Sequence, residues 1–314
     1  MPTHLHFVEP LAHGVYAVDT GFVRPRFDAS HLVVESGRAA FVDTGTTHAV
    51  PRLLEALASL GVARDAVDYV IATHIHLDHS GGAGALLQHL PNARVVVHPL
   101  GTRHLVDPSR LMASARTVYG DAEVERNYGE VIPVPAERVI ETNDGFALDW
   151  AGRRLRFFDT PGHARHHHCI WDERSRGVFT GDTLGIAYPE FTNAHGPWLI
   201  PSTPPTQFDP PALRASVQRV LALEPDRLYL THYSELKCTA ELGRALLRRI
   251  EQVVSLGETL RNAPDRPRAL EQGLAALYRS WLLEHGCAMN LDAALELLEI
   301  DVTLNAQGMG LWLG

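Results

Sequence analysis

The sequence predicts a fold that layers α and β elements and carries a helical appendage at its C-terminal end. Three observations predict it. The first hundred residues pass from strand-like runs into alternating helix and strand patterns. From Val139 the rhythm becomes mostly short β-strands, and from Thr239 onward it becomes helical.

In order along the chain, Val15 to Thr20, His31 to Val34 and Ala39 to Asp43 read as strands, the last ending at Thr44-Gly45. Thr47 to Gly61 carries an amphipathic helix with Leu53, Leu54, Leu57 and Leu60 inward. Val67 to Ala72 is mostly apolar and partly β-branched, which predicts a short buried strand. Gly84 to Leu90 reads as a helix stopped by Pro91, and Arg94 to His98 as the next strand. Residues 100–138 break the rhythm. They read as a partly helical insertion, with Leu105, Leu111, Val118 and Tyr119 as packing candidates, and either cap a site or pack on the surface. Arg154 to Asp159, His168 to Trp171 and Val178 to Thr180 are short strands, followed by a Pro- and aromatic-rich loop from Gly185 to Phe208. Pro211 to Leu223 is a helix and Arg227 to Thr231 a strand. Helical periodicity then covers Thr239 to Leu260, Arg268 to Glu284 and Leu291 to Ile300, before a mixed tail, DVTLNAQGMGLWLG. Residues 235–314 are thus the helical appendage, about 75 residues of it from Thr239 onward, which can narrow a pocket, form a homodimer contact, or pack Leu277, Tyr278, Trp281 and Leu282 on the main domain.

Composition excludes several classes. The chain has 314 residues, 45% apolar and 21% charged, enough for a core with an appendage or second domain. A net charge of −9 argues against a nucleic-acid backbone or an anionic membrane as partner. Arg244, Arg248 and Arg249 share one helical stretch and read as a solvated face. Three widely spaced cysteines, Cys169, Cys238 and Cys287, make no disulfide framework and fit a reducing compartment. The opening MPTHLHFVEP has no apolar run behind a basic start, and no run is long enough to span a membrane, so a cytoplasmic location is expected.

The stretch from Thr73 to Gly82, THIHLDHSGG, gathers His74, His76, Asp78 and His79 behind the Val67–Ala72 strand. Strand side chains alternate, so His74 and His76 share one face. Gly81 and Gly82 then predict a turn that lets Asp78 and His79 face a second point. Imidazole and carboxylate suit zinc or iron, so two adjacent metal ions are expected. Three later sites each follow a predicted strand: His163 in TPGH, Asp182 in TGDT and His232 in LTH. Counting ligands assigns His74, His76 and His163 to one ion and Asp78, His79 and His232 to the other. Asp182, with two carboxylate oxygens, bridges them.

With these motifs in place the chain resembles the metallo-β-lactamase-fold hydrolases over roughly Val15 to His232, which implies a four-layered αββα sandwich. Residues 1–234 would be the catalytic domain, with 100–138 as a cap insertion. The resemblance implies that Asp43, in VDTG, lies beneath the metals and hydrogen-bonds a ligand rather than a metal. The TPGHARHH stretch is similar to a glyoxalase II signature, and the helical appendage points the same way. Lactamases of this fold that use a cysteine ligand carry it where Asp182 stands, so lactam hydrolysis is not expected as the main activity.

The expected reaction is hydrolysis of an ester, thioester or lactone of a small molecule by a hydroxide bridging two divalent ions, Zn2+ first, with Fe or Mn as other choices. Asp78 binds its metal and accepts a hydrogen bond from the nucleophile. An iron-dependent redox enzyme resembling persulfide dioxygenases, and a metal-binding regulatory protein, are the alternatives. Tyr188, His195 and Trp198 either wall the substrate or pin their own loop. His98, His104 and the run His166-His167-His168 are assigned packing or supporting roles, and Cys169 a buried, inert thiol.

Overall fold

The computed structural model describes residues 5–314. The side chains of Val118 and Tyr119, two of the packing candidates, lie outside the described residues. By contacts the chain divides into two compact units. The first comprises 1–159, 166–181 and 225–237, and the second 160–165, 182–224 and 238–314. This division does not follow a single cut at 234/235, because 160–165 and 182–224 group with the C-terminal helices.

The first unit holds both sheets. One is seven-stranded, in chain order: β1 (Val8–Pro10), β2 (Val15–Asp19), β3 (Ala29–Glu35), β4 (Arg38–Val42), β5 (Val67–Ile71), β6 (Arg94–Val97) and β7 (Val139–Glu141). Its first four strands pair antiparallel, and β4 to β7 run parallel. The other has six strands in the order β13-β12-β11-β10-β9-β8: β8 (Ala147–Trp150), β9 (Arg153–Asp159), β10 (His168–Asp172), β11 (Gly177–Gly181), β12 (Arg227–Leu230) and β13 (Ser234–Lys237). Only β11 and β12 pair parallel in that sheet. Strand β13 has the sequence SELK and no apolar alternation, so the sequence reading missed it.

Alternation builds the layers. Val42 and Ala40 on β4, Ile71 on β5 and Val96 on β6 face Trp150, Leu155, Phe157, Ile170 and Phe179 of the second sheet. Their neighbours Phe41, Val70, Val95 and Val97 point the other way, into a cluster closed by helices. Those helices are α1 (Val50–Ser59), α3 (Ala83–Leu87) and α4 (Pro99–Val106), which send Leu53, Leu57, Leu86 and Leu105 inward, while the short α2 (Leu77–Ser80) between α1 and α3 sends Leu77 into a separate cluster. Burying each such side chain contributes about 1.5–3 kcal/mol. The insertion is helical, adding α5 (Ser109–Tyr119) and α6 (Asp121–Tyr128).

The second unit contains α7 (Pro210–Leu221), α8 (Ala240–Leu260), α9 (Arg266–Glu284), α10 (Leu291–Leu297) and α11 (Glu299–Leu313). Helix α11 corrects the expected mixed tail. A Cβ on Gly308 would lie 2.0 Å from the Thr203 carbonyl oxygen, so glycine is what lets the helix approach that backbone. Asn305 secures the same approach: its side-chain oxygen accepts from the Thr203 N–H at 2.6 Å, and its amide donates to the Pro201 carbonyl and the Tyr278 hydroxyl. Arg249 also departs from its expected solvated face. Its guanidinium sits over the rings of Trp198 and Trp281, 5.3 and 5.1 Å from their centroids, and burial pushes its pKa down to about 10. Arg244 and Arg248 do stay exposed, paired with Glu241. No helix among the described residues is long and apolar enough to cross a membrane.

Candidate metal centre

Three strand ends of the first unit supply the centre. Strand β4 ends at Asp43, β5 runs into Ala72-Thr73-His74, and β12 runs into Thr231-His232. Asp43 ties them together. Its Oδ1 accepts from the Thr73 N–H at 2.8 Å, and the Thr73 hydroxyl reaches both carboxylate oxygens at 2.9–3.0 Å. Its Oδ2 accepts from the Thr231 hydroxyl and from His79 Nδ1, both at 2.8 Å. Asp43 is buried and adopts a left-handed φ of 57°, a conformation Asp tolerates better than most residues.

This capture changes the expected local geometry. Strand β5 stops at Ile71, so His74 and His76 are not strand neighbours on one face. They sit on the following loop, because Asp43 takes the Thr73 N–H that a continuing ladder would have used. His76 occupies the N-cap position of α2, and Asp78 and His79 lie on that short helix rather than on a turn. Gly81 and Gly82 have ordinary negative φ. A Cβ on Gly82 would lie 2.8 Å from the Thr46 carbonyl oxygen, so glycine here permits close approach of the VDTG loop. That contact is sealed by Thr44 N–H to His79 O at 2.7 Å and Gly82 N–H to Gly45 O at 2.9 Å.

The ring nitrogens are sorted by their partners. His79 Nδ1 donates to Asp43, and His232 Nδ1 donates to the Phe27 carbonyl at 3.0 Å. Each ring therefore keeps its lone pair on Nε2. His79 Nε2 and His232 Nε2 lie 3.9 and 3.5 Å from Asp78 Oδ2. The three donor atoms fall within 4.8 Å of one another. His74 Nδ1 lies 3.2 Å from the Thr73 hydroxyl, which donates to Asp43 and accepts from the ring, so His74 also keeps Nε2 as a lone pair. That Nε2 is 2.9 Å from His76 Nδ1, and the His74 and His79 ring centroids are 4.0 Å apart. Unprotonated nitrogens and a carboxylate converging in this way form a donor set that a divalent cation satisfies. The residues of the first unit fit a metal.

His163 and Asp182 belong to the second unit, where His163 Nε2 lies 3.5 Å from Asp182 Oδ2 and both residues are buried. The turn holding His163 is pinned to α7. The Asp209 N–H donates to the Gly162 carbonyl at 2.8 Å, and the Ser216 hydroxyl to the Pro161 carbonyl at 2.6 Å. Gly162 has φ +127°, and a Cβ there would lie 2.1 Å from the Leu213 nitrogen, so the TPGH glycine admits no side chain. The Ser202 hydroxyl donates to Asp182 Oδ2 at 3.2 Å.

The weaker candidates have partners of their own. Tyr188 and Trp198 are each only 1% exposed. Tyr188 donates to Asp301 at 3.1 Å, and Trp198 packs edge-on to Phe191 and Tyr278, so both pin their own loop. His195 is exposed beside His285. His168 is a strut: Nε2 donates to the Ala72 carbonyl at 2.8 Å, and Nδ1 accepts from the Thr142 hydroxyl at 2.9 Å. Burial pushes its pKa down to about 4. His98 caps α4, accepting from the Leu100 N–H, and pairs with Asp159 at 3.1 Å.

Sequence reasoning missed Asp28. It is fully buried, accepts from the Thr20 hydroxyl at 2.7 Å, and is flanked by Phe27, which holds His232, and by Ala29, whose N–H bonds Thr231 O. Burial pushes its carboxyl up to about 7, against the pull of His232 and His79 and with a further push from Asp78. Nothing in PRFDAS marks it out, because its environment is assembled from distant strands.

The metallo-beta-lactamase superfamily model matches residues 3–232. The chain belongs to that superfamily. The fold class is accordingly the αββα sandwich that the resemblance implied. Among curated relatives, the chain is 34% identical over 172 residues to a metallo-beta-lactamase fold-containing protein of Sulfurisphaera tokodaii, covering 54% of this chain and 61% of that one. It is 29% identical over 211 residues to a hydroxyacylglutathione hydrolase of Aeromonas hydrophila, covering 66% and 63%, and 29% identical over 189 residues to an acyl-coenzyme A thioesterase of Gallus gallus, covering 56% and 65%. The chain thus spans about 61–65% of the length of these relatives. The solved structure of an archaeal superfamily protein from Sulfolobus tokodaii superposes with a TM-score of 0.66 at 23% identity, covering 95% of this chain and 99% of that one.

Proposed function

We propose that the protein is a dinuclear metal-dependent hydrolase acting on a small-molecule thioester, within the broader class of esters, thioesters and lactones. The observation that carries this reading is the sorting of ring nitrogens. His74, His79 and His232 each commit Nδ1 to a protein partner and leave Nε2 toward the Asp78 carboxylate or His76. In this reading His74, His76 and His163 hold one ion, Asp78, His79 and His232 hold the other, and Asp182 bridges them. The ligand-bearing segment is 1–234, with 100–138 as its cap, and 235–314 is the appendage. Relatives named as hydroxyacylglutathione hydrolase and acyl-coenzyme A thioesterase support a thioester over a lactone.

Divalent cations bound there, Zn2+ first, supply Lewis acidity and a water acidified enough to attack near neutral pH. The chain's own residues do the rest. Asp43 holds the His79 tautomer and joins Thr73 and Thr231 to one carboxylate, so the ligand loops cannot drift apart. The Phe27 carbonyl does the same for His232. Asp78 accepts a hydrogen bond from the attacking water and orients it toward the carbonyl carbon. Hydrolysis consumes one water and yields a carboxylic acid and a thiol.

The test is metal analysis of protein purified without added metal, followed by assay on thioester, lactone and ester panels. Two metals per chain, with thioester turnover abolished by a chelator, is the expected result. One iron per chain with oxygen consumption on a persulfide would replace this reading with redox chemistry.

A further inference from the structure

A second apolar cluster of the first unit adjoins the ligand group on two sides. It comprises Leu77, Ala115, Val124 and Tyr128, with Phe22, Leu111, Met112 and Val131 partly buried against them. On one side Leu77 is the residue before Asp78, on the same short helix. On the other, a row of rings leads from the cap to a ligand. Tyr128 on α6 lies 5.5 Å from Phe22, Phe22 lies 5.8 Å from Phe27, and Phe27 lies 5.5 Å edge-on from His232. The loop carrying Phe22 and Phe27 is braced, not floppy. The Asp19 carboxylate accepts from the Gly21 and Arg26 N–H groups, and Thr20 bonds Asp28 through backbone and side chain.

We propose that this cluster is the acyl-binding wall of the site and selects thioesters with an unbranched apolar acyl chain. The inference rests on the thioester reading above. A thioester carbonyl carries two substituents, sulfur and acyl carbon. With the carbonyl at the Asp78–His232 group, the half-exposed Phe22, Met112 and Val131 offer the apolar substituent a surface whose buried neighbours Leu77 and Phe27 adjoin Asp78 and His232. Apolar contact of this kind strengthens with each methylene by about fourfold in affinity. A short hydroxy-acyl group would leave these side chains uncovered. Cap and ligand site are joined at Leu77, so the insertion of residues 100–138 sets chain-length preference.

The experiment uses the full metal-loaded chain and N-acetylcysteamine thioesters from acetyl to octanoyl. Calorimetry with the matching S-alkyl thioethers, which carry the chain but no scissile carbonyl, runs in parallel. The proposal expects kcat/KM and thioether affinity each to rise about fourfold per methylene over the first several carbons. Phe22→Ala and Met112→Ser should each flatten both slopes, and since both side chains are partly exposed, Met112→Ser serves if Phe22→Ala fails to fold. Turnover with flat slopes, or variants that keep the parent slopes, overturns the wall. No turnover of any thioester, with thioether affinity still rising by chain length and flattened by the variants, overturns the hydrolase reading and keeps the wall. No turnover with flat affinity overturns both.

Discussion

Two histidine-rich stretches of the first unit, 74–79 and 166–168, look alike in composition and differ in what holds the rings. In the first, His79 and His74 spend Nδ1 on Asp43 and Thr73 and keep Nε2 for the ligand group. In the second, His168 spends both nitrogens on the Ala72 carbonyl and the Thr142 hydroxyl. With Nδ1 committed, His74 and His79 have a defined tautomer and turn Nε2 toward the candidate ligand group, whereas His168, with both nitrogens committed to groups outside that cluster, is a strut that ties β10 to the β5 end. The lesson is that the partner of the second nitrogen, not the density of histidines, separates metal chemistry from packing.

The largest expected effect breaks the ligand group that the first stretch shares with His232. His79→Ala and His232→Ala should lower metal content and reduce kcat/KM by roughly a thousandfold or more, since metal stabilisation of developing charge is worth several kcal/mol. Elemental analysis beside steady-state kinetics checks this, and full metal content in either variant would remove these residues from the centre. Next, Asp43→Asn keeps the shape but offers fewer acceptors to His79, Thr73 and Thr231. Metal affinity should fall about 10–100-fold, read by competition with a chelating dye.

Smaller effects sharpen the second stretch. His168→Leu leaves the Ala72 carbonyl and Thr142 hydroxyl without their ring partner, costing about 1–3 kcal/mol in urea unfolding while metal content stays unchanged. The same ring has a signature in pH. Its folded pKa is about 4 against an ordinary 6.5, so below 6.5 the unfolded chain takes up a proton that the folded chain refuses. The stability it contributes is complete above pH 6.5 and is lost as pH falls toward 4, by about 2 kcal/mol between 6.5 and 5. His31, also pushed by burial to about 4, acts with the same sign. Asp28 has the opposite sign: its raised carboxyl makes the metal-free fold lose stability as pH climbs from about 4 toward 7. Urea midpoints at pH 7 and pH 5 should therefore differ less in His168→Gln than in the parent protein.

Much of this was legible in the sequence. The ligand spacing and the alternation of strands β2 to β6 needed only local patterns, and both layers of apolar residues followed. What stayed hidden depends on distant partners. The early end of β5 is imposed by Asp43, thirty positions upstream. Arg249 is half-buried over Trp198 and Trp281, neither of them near it in sequence, so its helix looked like a solvated face. The tail reads as mixed although it is helical, because Gly308 answers a packing demand from Thr203, far away in sequence. His163 and Asp182 were legible as ligand types after strands, and their mutual 3.5 Å approach follows from how Pro161-Gly162 and Ser202 hold them.

The central claim is that partner-sorted nitrogens, and not histidine density, carry the metal. Anomalous diffraction from crystals of the metal-loaded protein tests it most directly. The account predicts one peak at His79 Nε2, His232 Nε2 and the Asp78 carboxylate, a second at His74 Nε2 and His76 Nδ1, and none at His168. A peak on the 166–168 run, or ligation of His79 through Nδ1, would contradict it.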